Sequence, residues 1–347
     1  MQTKSSLQLL TLLIVLFGCT SNAKLPVITF EPLQTGVDAE IRALHVISEK
    51  VVWASASKGT VLLSVDGGEN WKVSRIEGEE QNEFRSLHAW DAKRAMVVGI
   101  QNPARFYLTV DGGESWGVVF VPNQQGLFFN SMKFADDQHG LALSDPIDDR
   151  FYVVKTNDGG LTWNRIENLP AIEKGEANFA ASNTCIEYLP SGEAWFVTGG
   201  QMARVFKSLD HGEHWSVADA PIIDGNQNSG IYSVAFQNGS DGVLVGGTWN
   251  NPEANKQVAA WTKDGGITWQ LSETMPGAFR SCVQYFGNSA GSLYLAMGKT
   301  GCDYSLDKGQ NWTLVDCEGY YTIRCVPGQM KGFAAGSNGR MARVTIE

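Results

Sequence analysis

The pattern Ser/Thr-x-Asp-x-Gly-x-x-Trp constrains this chain more than any other feature, because it is written six times. The copies begin at Ser64, Thr109, Thr156, Ser208, Thr262 and Ser305 and close on Trp71, Trp116, Trp163, Trp215, Trp269 and Trp312. Their starts lie 45, 47, 52, 54 and 43 residues apart. A self-similarity of about 40–50 residues is the mark of a solenoid or propeller, built from units that bury their apolar faces only against each other.

Each copy sits between short alternating apolar runs, such as Thr60-Val61-Leu62-Leu63 and Trp71-Lys72-Val73. That predicts a β-hairpin turning at Asp-Gly-Gly. The Asp and Ser/Thr side chains can accept the turn's own N–H groups, and the Trp carries the chain back into the core. The first glycine gives way to His211 and Lys308 in two copies, whereas the second never varies. Only the second position is therefore expected to need a backbone barred to side chains. The pattern resembles the Asp-box, or bacterial neuraminidase repeat. Asp66, Asp111, Asp158, Asp210, Asp264 and Asp307 are accordingly expected to be structural, not catalytic and not metal ligands.

Three further strand-like runs precede or flank each turn. In the first unit they are Arg42–Val46, Val51–Ala54 and Thr60–Val65, with Trp71–Ile76 closing a four-stranded antiparallel blade. Later units open at Arg85, Asn130, Thr184, Tyr232 and Arg280. A last unit, from Thr322, stops one strand short, and Val27–Phe30 can supply the missing outer strand. The fold expected is all-β: one seven-bladed β-propeller over residues 26–347, closed by an N-terminal strand that also protects the sheet edge.

The N-terminus has another purpose. Lys4 and the apolar run Leu7–Phe17 form a targeting segment over residues 1–18, too short to span a bilayer. Leu16-Phe17-Gly18-Cys19 resembles a bacterial lipobox, which implies a diacylated Cys19, a tether over 19–25 and a place in the cell envelope; Thr20 after the Cys favours the outer membrane. The alternative is a secretory peptide cut near Ala23. Of the other cysteines none has zinc spacing. Cys302 and Cys317 flank the sixth turn, where an oxidising compartment permits a disulfide, with buried free thiols as the alternative.

Formal net charge is -10, which argues against a nucleic-acid partner. Against that background, basic residues gather at one place. Aligning the blade starts puts Arg42, Arg85, Arg280 and Arg324 at one level, in blades adjacent round the ring, with Tyr232 among the others. The loops between second and third strands add Lys58, Arg105, Arg150, Arg204, Lys256, Lys299 and Arg340. Arg forks recognise carboxylates and phosphates, so an anionic or protein ligand is expected at this mouth, opposite the Asp-box turns. The alternative is a solvated rim whose inner arginines pair with acids such as Glu40, Glu83 or Glu187. No cofactor or metal is expected: His45 and His88 match in blades 1 and 2 but lack a visible third ligand, and Gly199-Gly200 and Gly246-Gly247 lack a phosphate-loop context. The long loops Leu169–Asn183 and Trp249–Lys256 are candidate partner contacts.

An exported seven-bladed propeller with this repeat and an arginine patch resembles the photosystem II stability/assembly factor family. The resemblance implies a non-enzymatic binding or assembly platform; the chain itself is expected to be monomeric and to touch the membrane only through its lipid. The rival is a sialidase-like glycoside hydrolase acting on an acidic glycan, its arginine cluster mimicked here and its Tyr–Glu pair mimicked by Tyr232 and Glu187. Phe84-Arg85-Ser86-Leu87 departs from the Phe-Arg-Ile-Pro motif of that family. The acids near the mouth, Asp145, Asp148 and Asp149, are confined to one loop.

Overall fold

Strand pairing in the computed structural model, which describes residues 25–347, resolves into seven antiparallel sheets. The targeting segment and Cys19 lie outside the described residues. The inner strands, which surround the central channel, are Ile41–Val46, Phe84–Ala89, Phe129–Phe134, Ile186–Tyr188, Ser229–Phe236, Cys282–Asn288 and Thr322–Cys325, one for each of blades 1 to 7. The second strands are almost wholly buried, as Val52–Ala56 and Ala95–Gly99 illustrate, because both faces of each blade are covered by neighbouring blades. Outer strands such as Lys72–Arg75 alternate between half-buried and exposed, having solvent on one side.

The ring closes as expected. Ile28–Gln34 pairs antiparallel with Arg340–Ile346, from Ile28 opposite Ile346 to Gln34 opposite Arg340, and becomes the outer strand of blade 7. This join replaces the seventh turn, which is why the box occurs six times.

All six turns share one hydrogen-bond set. In the first, Ser64 Oγ donates to Asp66 Oδ1 (2.8 Å) and accepts from Gly68 N (2.8 Å), and Asn70 N donates to Asp66 Oδ1 (3.0 Å); a further bond, from Trp71 Nε1 to the Gly68 carbonyl (3.0 Å), recurs at Trp163 and Trp215 but not in the other three turns. These bonds hold Asp66 down at about 2, the Asn70 backbone N–H first and its side chain second. One member was missed in sequence. The residue before each Trp (Asn70, Ser115, Thr162, His214, Thr268, Asn311) sends its side chain to the second Asp oxygen. The signal was present, since all six carry a polar hydrogen-bonding side chain.

The glycine expectation needs correcting. Both positions are left-handed: the first has φ of 71–81° at its glycines and 56° and 61° at His211 and Lys308, values an L-residue tolerates. The second position has φ of 80–92° and is crowded by side chains, whereas crowding at the first comes chiefly from backbone carbonyls, as at Gly265, where a Cβ would stand 2.5 Å from the Gly239 carbonyl. A Cβ on Gly68 would stand 2.6 Å from Leu33 Cδ1, on Gly113 2.7 Å from Ser74 Oγ, and on Gly160 2.5 Å from Met96 Cε. In each case the obstacle belongs to the preceding blade, against which the turn is pressed.

Cys302 and Cys317 are joined as a disulfide, their Cα atoms 6.3 Å apart. Cys185 and Cys282 are free and buried.

Candidate functional site

At the end of the channel opposite the box turns, the inner strands begin with a local irregularity. The pairing of first and second strands slips at Arg42, Arg85, Asn130 and Tyr232, each skipped by the ladder as the extra residue of a β-bulge. A bulge leaves one residue unpaired and re-aims its side chain. Here all four are turned into one cavity of about 520 Å³, completed by Ser281 and Tyr321 from blades 6 and 7.

The expected four-arginine cluster is therefore two arginines. Strand register equates Ser281, not Arg280, and Tyr321, not Arg324, with Arg42. Arg280 lies one residue early and is 1% exposed, its Nε donating to Asp303 Oδ2 (2.6 Å) and its Nη1 to Thr300 Oγ1 (3.0 Å). Arg324 lies three residues deeper, at the level of His45, His88, Lys133 and Glu187. A sequence signal separates the levels: each blade places a small or hydroxyl/thiol residue before an aliphatic one (Ala43-Leu44, Ser86-Leu87, Ser131-Met132, Cys185-Ile186, Ser233-Val234, Cys282-Val283, Thr322-Ile323). Aligning on that pair, in place of arginine identity, recovers the true register.

Glu83 holds the two mouth arginines. Its Oε1 accepts from Arg42 Nε (2.9 Å) and its Oε2 from Arg85 Nη2 (2.8 Å). Arg42 also lies over the Tyr321 ring at 4.4 Å, and Arg85 Nη1 donates to the Ala180 carbonyl (3.2 Å). One carboxylate against two guanidiniums leaves a net positive charge, fixed in place before any ligand arrives. Lys299 adds a third cation at the rim, its Nζ 3.1 Å from the Trp249 carbonyl.

The remaining wall is aromatic. Tyr232 stacks on Phe179 at 4.0 Å between centroids, with Phe279 edge-on to it at 4.7 Å. Its hydroxyl donates to the Asn228 carbonyl (2.9 Å). Phe128 and a half-exposed Trp249 complete the lining.

The floor comes from the loop Leu169–Asn183, a candidate partner contact in the sequence, whose Asn178, Phe179, Ala180 and Ala181 also line the cup. Its last part crosses the channel. Asn183 Oδ1 accepts from Ser131 Oγ (3.0 Å) and Met132 N (2.9 Å), while its Nδ2 donates to the Leu87 carbonyl (3.0 Å). Ser182 Oγ donates to the Ser281 carbonyl (2.7 Å). From below, Arg324 Nη2 donates to the Asn183 carbonyl (2.8 Å) and the Ser182 carbonyl (3.2 Å). Blade 4's inner strand consequently starts only at Ile186, and Thr184 is drawn away from the mouth. The channel becomes a cup.

The outer basic ring is largely tied to its own acids. Lys58 pairs with Asp38, Arg105 with Glu79, Arg150 with Asp149, a buried Arg204 with Glu176, and Arg340 with Glu318; Lys256 is exposed. Nor do Tyr232 and Glu187 form a pair, since Glu187 holds Lys133 (2.8 Å) deep in the channel. Asp145 is half-buried outside the cup lining, accepting from Asn130 Nδ2 (2.9 Å), and desolvation pushes its carboxyl up. Below the plug, His45 and His88 meet edge to face at 4.5 Å beside a recess of about 260 Å³. Burial first, then Lys133 and Arg324, push His45 down to about 3. No cluster of three metal-ligating side chains occurs among the described residues.

No family model and no curated protein matches this chain. Solved structures do match along nearly its whole length. YCF48 bound to a D1 peptide superposes with a TM-score of 0.65 at 16% identity, over 92% of this chain and 97% of that one. YCF48 from Cyanidioschyzon merolae gives 0.63 at 14%, over 91% and 98%. The WD40 propeller domain of Doa1 gives 0.58 at 12%, over 92% and 97%. Similarity at this identity is one of fold, and it agrees with the seven-bladed architecture.

Proposed function

We propose that this protein is a binding or assembly platform that holds an acidic or carboxylate-bearing segment of a partner protein in the cup. The observation that carries the reading is Arg42 and Arg85 clamped side by side on Glu83, over an aromatic wall and a closed floor. Fixed guanidiniums select an anionic group, and aromatic walls accept an apolar side chain beside it at low entropic cost. The bound D1 peptide of YCF48, a photosystem II assembly factor of the same fold, supports a peptide as the kind of ligand. Glycoside hydrolysis would need two carboxyls flanking the scissile bond at about 5–9.5 Å. The cup's lining side chains include no carboxyl, and Glu83 behind them is engaged by both arginines.

Export and lipid attachment belong to the same proposal. The lipobox-like Leu16–Cys19 supports them, and the Cys302–Cys317 bond suits an oxidising compartment.

The test is capture of partners from envelope extract by the wild-type protein and by Arg42→Ala/Arg85→Ala. A partner lost by the double variant by tenfold or more, with Tm within a few degrees of wild type, is the expected result. Equal capture by both would remove the cup from the function.

A further inference from the structure

The face opposite the cup carries a feature that neither the fold nor the cup requires. Each of the six box turns leaves one large aliphatic side chain in solvent: Val65, Val110, Leu161, Leu209, Ile267 and Leu306, 52–67% exposed. In four copies this residue follows the Ser/Thr. In the other two that place is polar, Asn157 and Lys263, and the aliphatic stands after the second glycine instead, as Leu161 and Ile267. The turn thus keeps one apolar tip while its position in the turn changes. The turn's bonds are made by other side chains, so local stability does not explain the tip.

The six turns are equivalent corners of six blades, which sets the tips at one level round the lower rim. Part of the charge between them is paired within the protein, while the box aspartates stay ionised. The box aspartates accept bonds from their own turns, while Glu114 pairs with Lys72 (2.6 Å), Glu69 with Arg343 (2.9 Å) and Glu213 with Lys155. The chain enters at this same face. Ile28 lies opposite Ile346 at the corner of blade 7 that takes the place of a box turn, and Leu25 and Val27 beside it are also exposed. Cys19 precedes Leu25 by six residues, a reach of at most about 20 Å.

We propose that the lower rim rests on a zwitterionic lipid surface, its aliphatic tips dipping into the boundary between headgroups and acyl chains. The cup then faces away from the membrane, open to a partner. The proposal builds on the export-and-anchor reading above. Six apolar points separated by polar residues offer no continuous groove to a protein. A flat, deformable apolar layer receives them all at once. The ionised box aspartates repel an anionic surface, whereas the cationic groups of zwitterionic headgroups can face them.

The experiment uses the full-length protein in vesicles of phosphatidylcholine and phosphatidylethanolamine. An environment-sensitive fluorophore is attached at Leu209→Cys, at Val110→Cys or, as upper-face control, at Asn255→Cys, with the parent protein giving the background from its own thiols. Quenching by brominated acyl chains is expected at both tips and not at the control. A form beginning at Thr20, which retains every propeller strand, is then compared with its variant carrying Ser at all six tips. The variant should partition onto the same vesicles on the order of tenfold more weakly. Mass measurement of the N-terminus keeps the two readings apart. A lipidated chain with unquenched tips overturns the rim proposal and spares the anchor. Quenched tips on an unlipidated chain support the rim and remove the anchor. Self-association lost in the six-Ser variant, without vesicle binding by its parent, would give the rim to a second copy and overturn the proposal.

Discussion

The two ends of the propeller are built on opposite rules. At the lower rim six turns repeat one hydrogen-bond set, down to the side chain before the Trp. At the upper mouth the equivalent inner-strand residues are Arg42, Arg85, Asn130, Tyr232, Ser281 and Tyr321, with Thr184 withdrawn, and only arginine and tyrosine recur, each twice. The repeat is therefore the scaffold, and recognition is written in the departures from it. The bulges serve that division: each lets a mouth residue leave the ladder without disturbing the strand below.

The sharpest way to break this contrast is to attack an arginine of the upper half that the structure makes scaffold. Arg280→Leu leaves Asp303 as an unpaired carboxylate in a nearly dry site, so a loss of about 3–5 kcal/mol is expected in denaturant unfolding. A change under about 1 kcal/mol would return Arg280 to the list of ligand-binding candidates. Next in size comes a paired test within one turn of the lower rim. Gly113→Ala drives a Cβ toward Ser74 Oγ and should lose about 2 kcal/mol, whereas Gly112→Asn should lose less than about 1. Equal losses would show that backbone conformation alone, and not contact with the preceding blade, makes the second glycine obligatory.

A third test lies between the two ends. His45 is depressed to about 3 by burial and by neighbouring cations, and His88 is lowered too, by burial and then by His45. In the unfolded chain both titrate near about 6.5. The unfolded state therefore binds more protons as pH falls, and this share of the stability, intact above about 6.5, drains away toward pH 3. Unfolding followed from pH 7.5 to 4 should show the loss, and His45→Phe should flatten the slope. An unchanged slope would place the acid sensitivity elsewhere.

What could be read before folding follows the same division. Blade number, strand count per blade and closure by an N-terminal strand, read at Val27–Phe30, were all legible, because each depends on local pattern repeated at a fixed interval and on counting what is left over. The passage of the Leu169–Asn183 loop across the channel and the true membership of the arginine mouth were not. Arg280 and Arg42 look alike in sequence, but a one-residue difference in strand register sends one into a buried ion pair and the other into the cup. Glu83 was among the acids named for pairing, yet that it alone holds both mouth arginines depends on blades 1 and 2 standing side by side. The chain by itself determined a ring of seven blades, since units with two apolar faces can hide them only against copies of themselves. Which residues face the cup, and that a crossing loop closes its floor, only the tertiary structure decided, because both depend on contacts between residues about 50 to 140 positions apart that no local preference encodes.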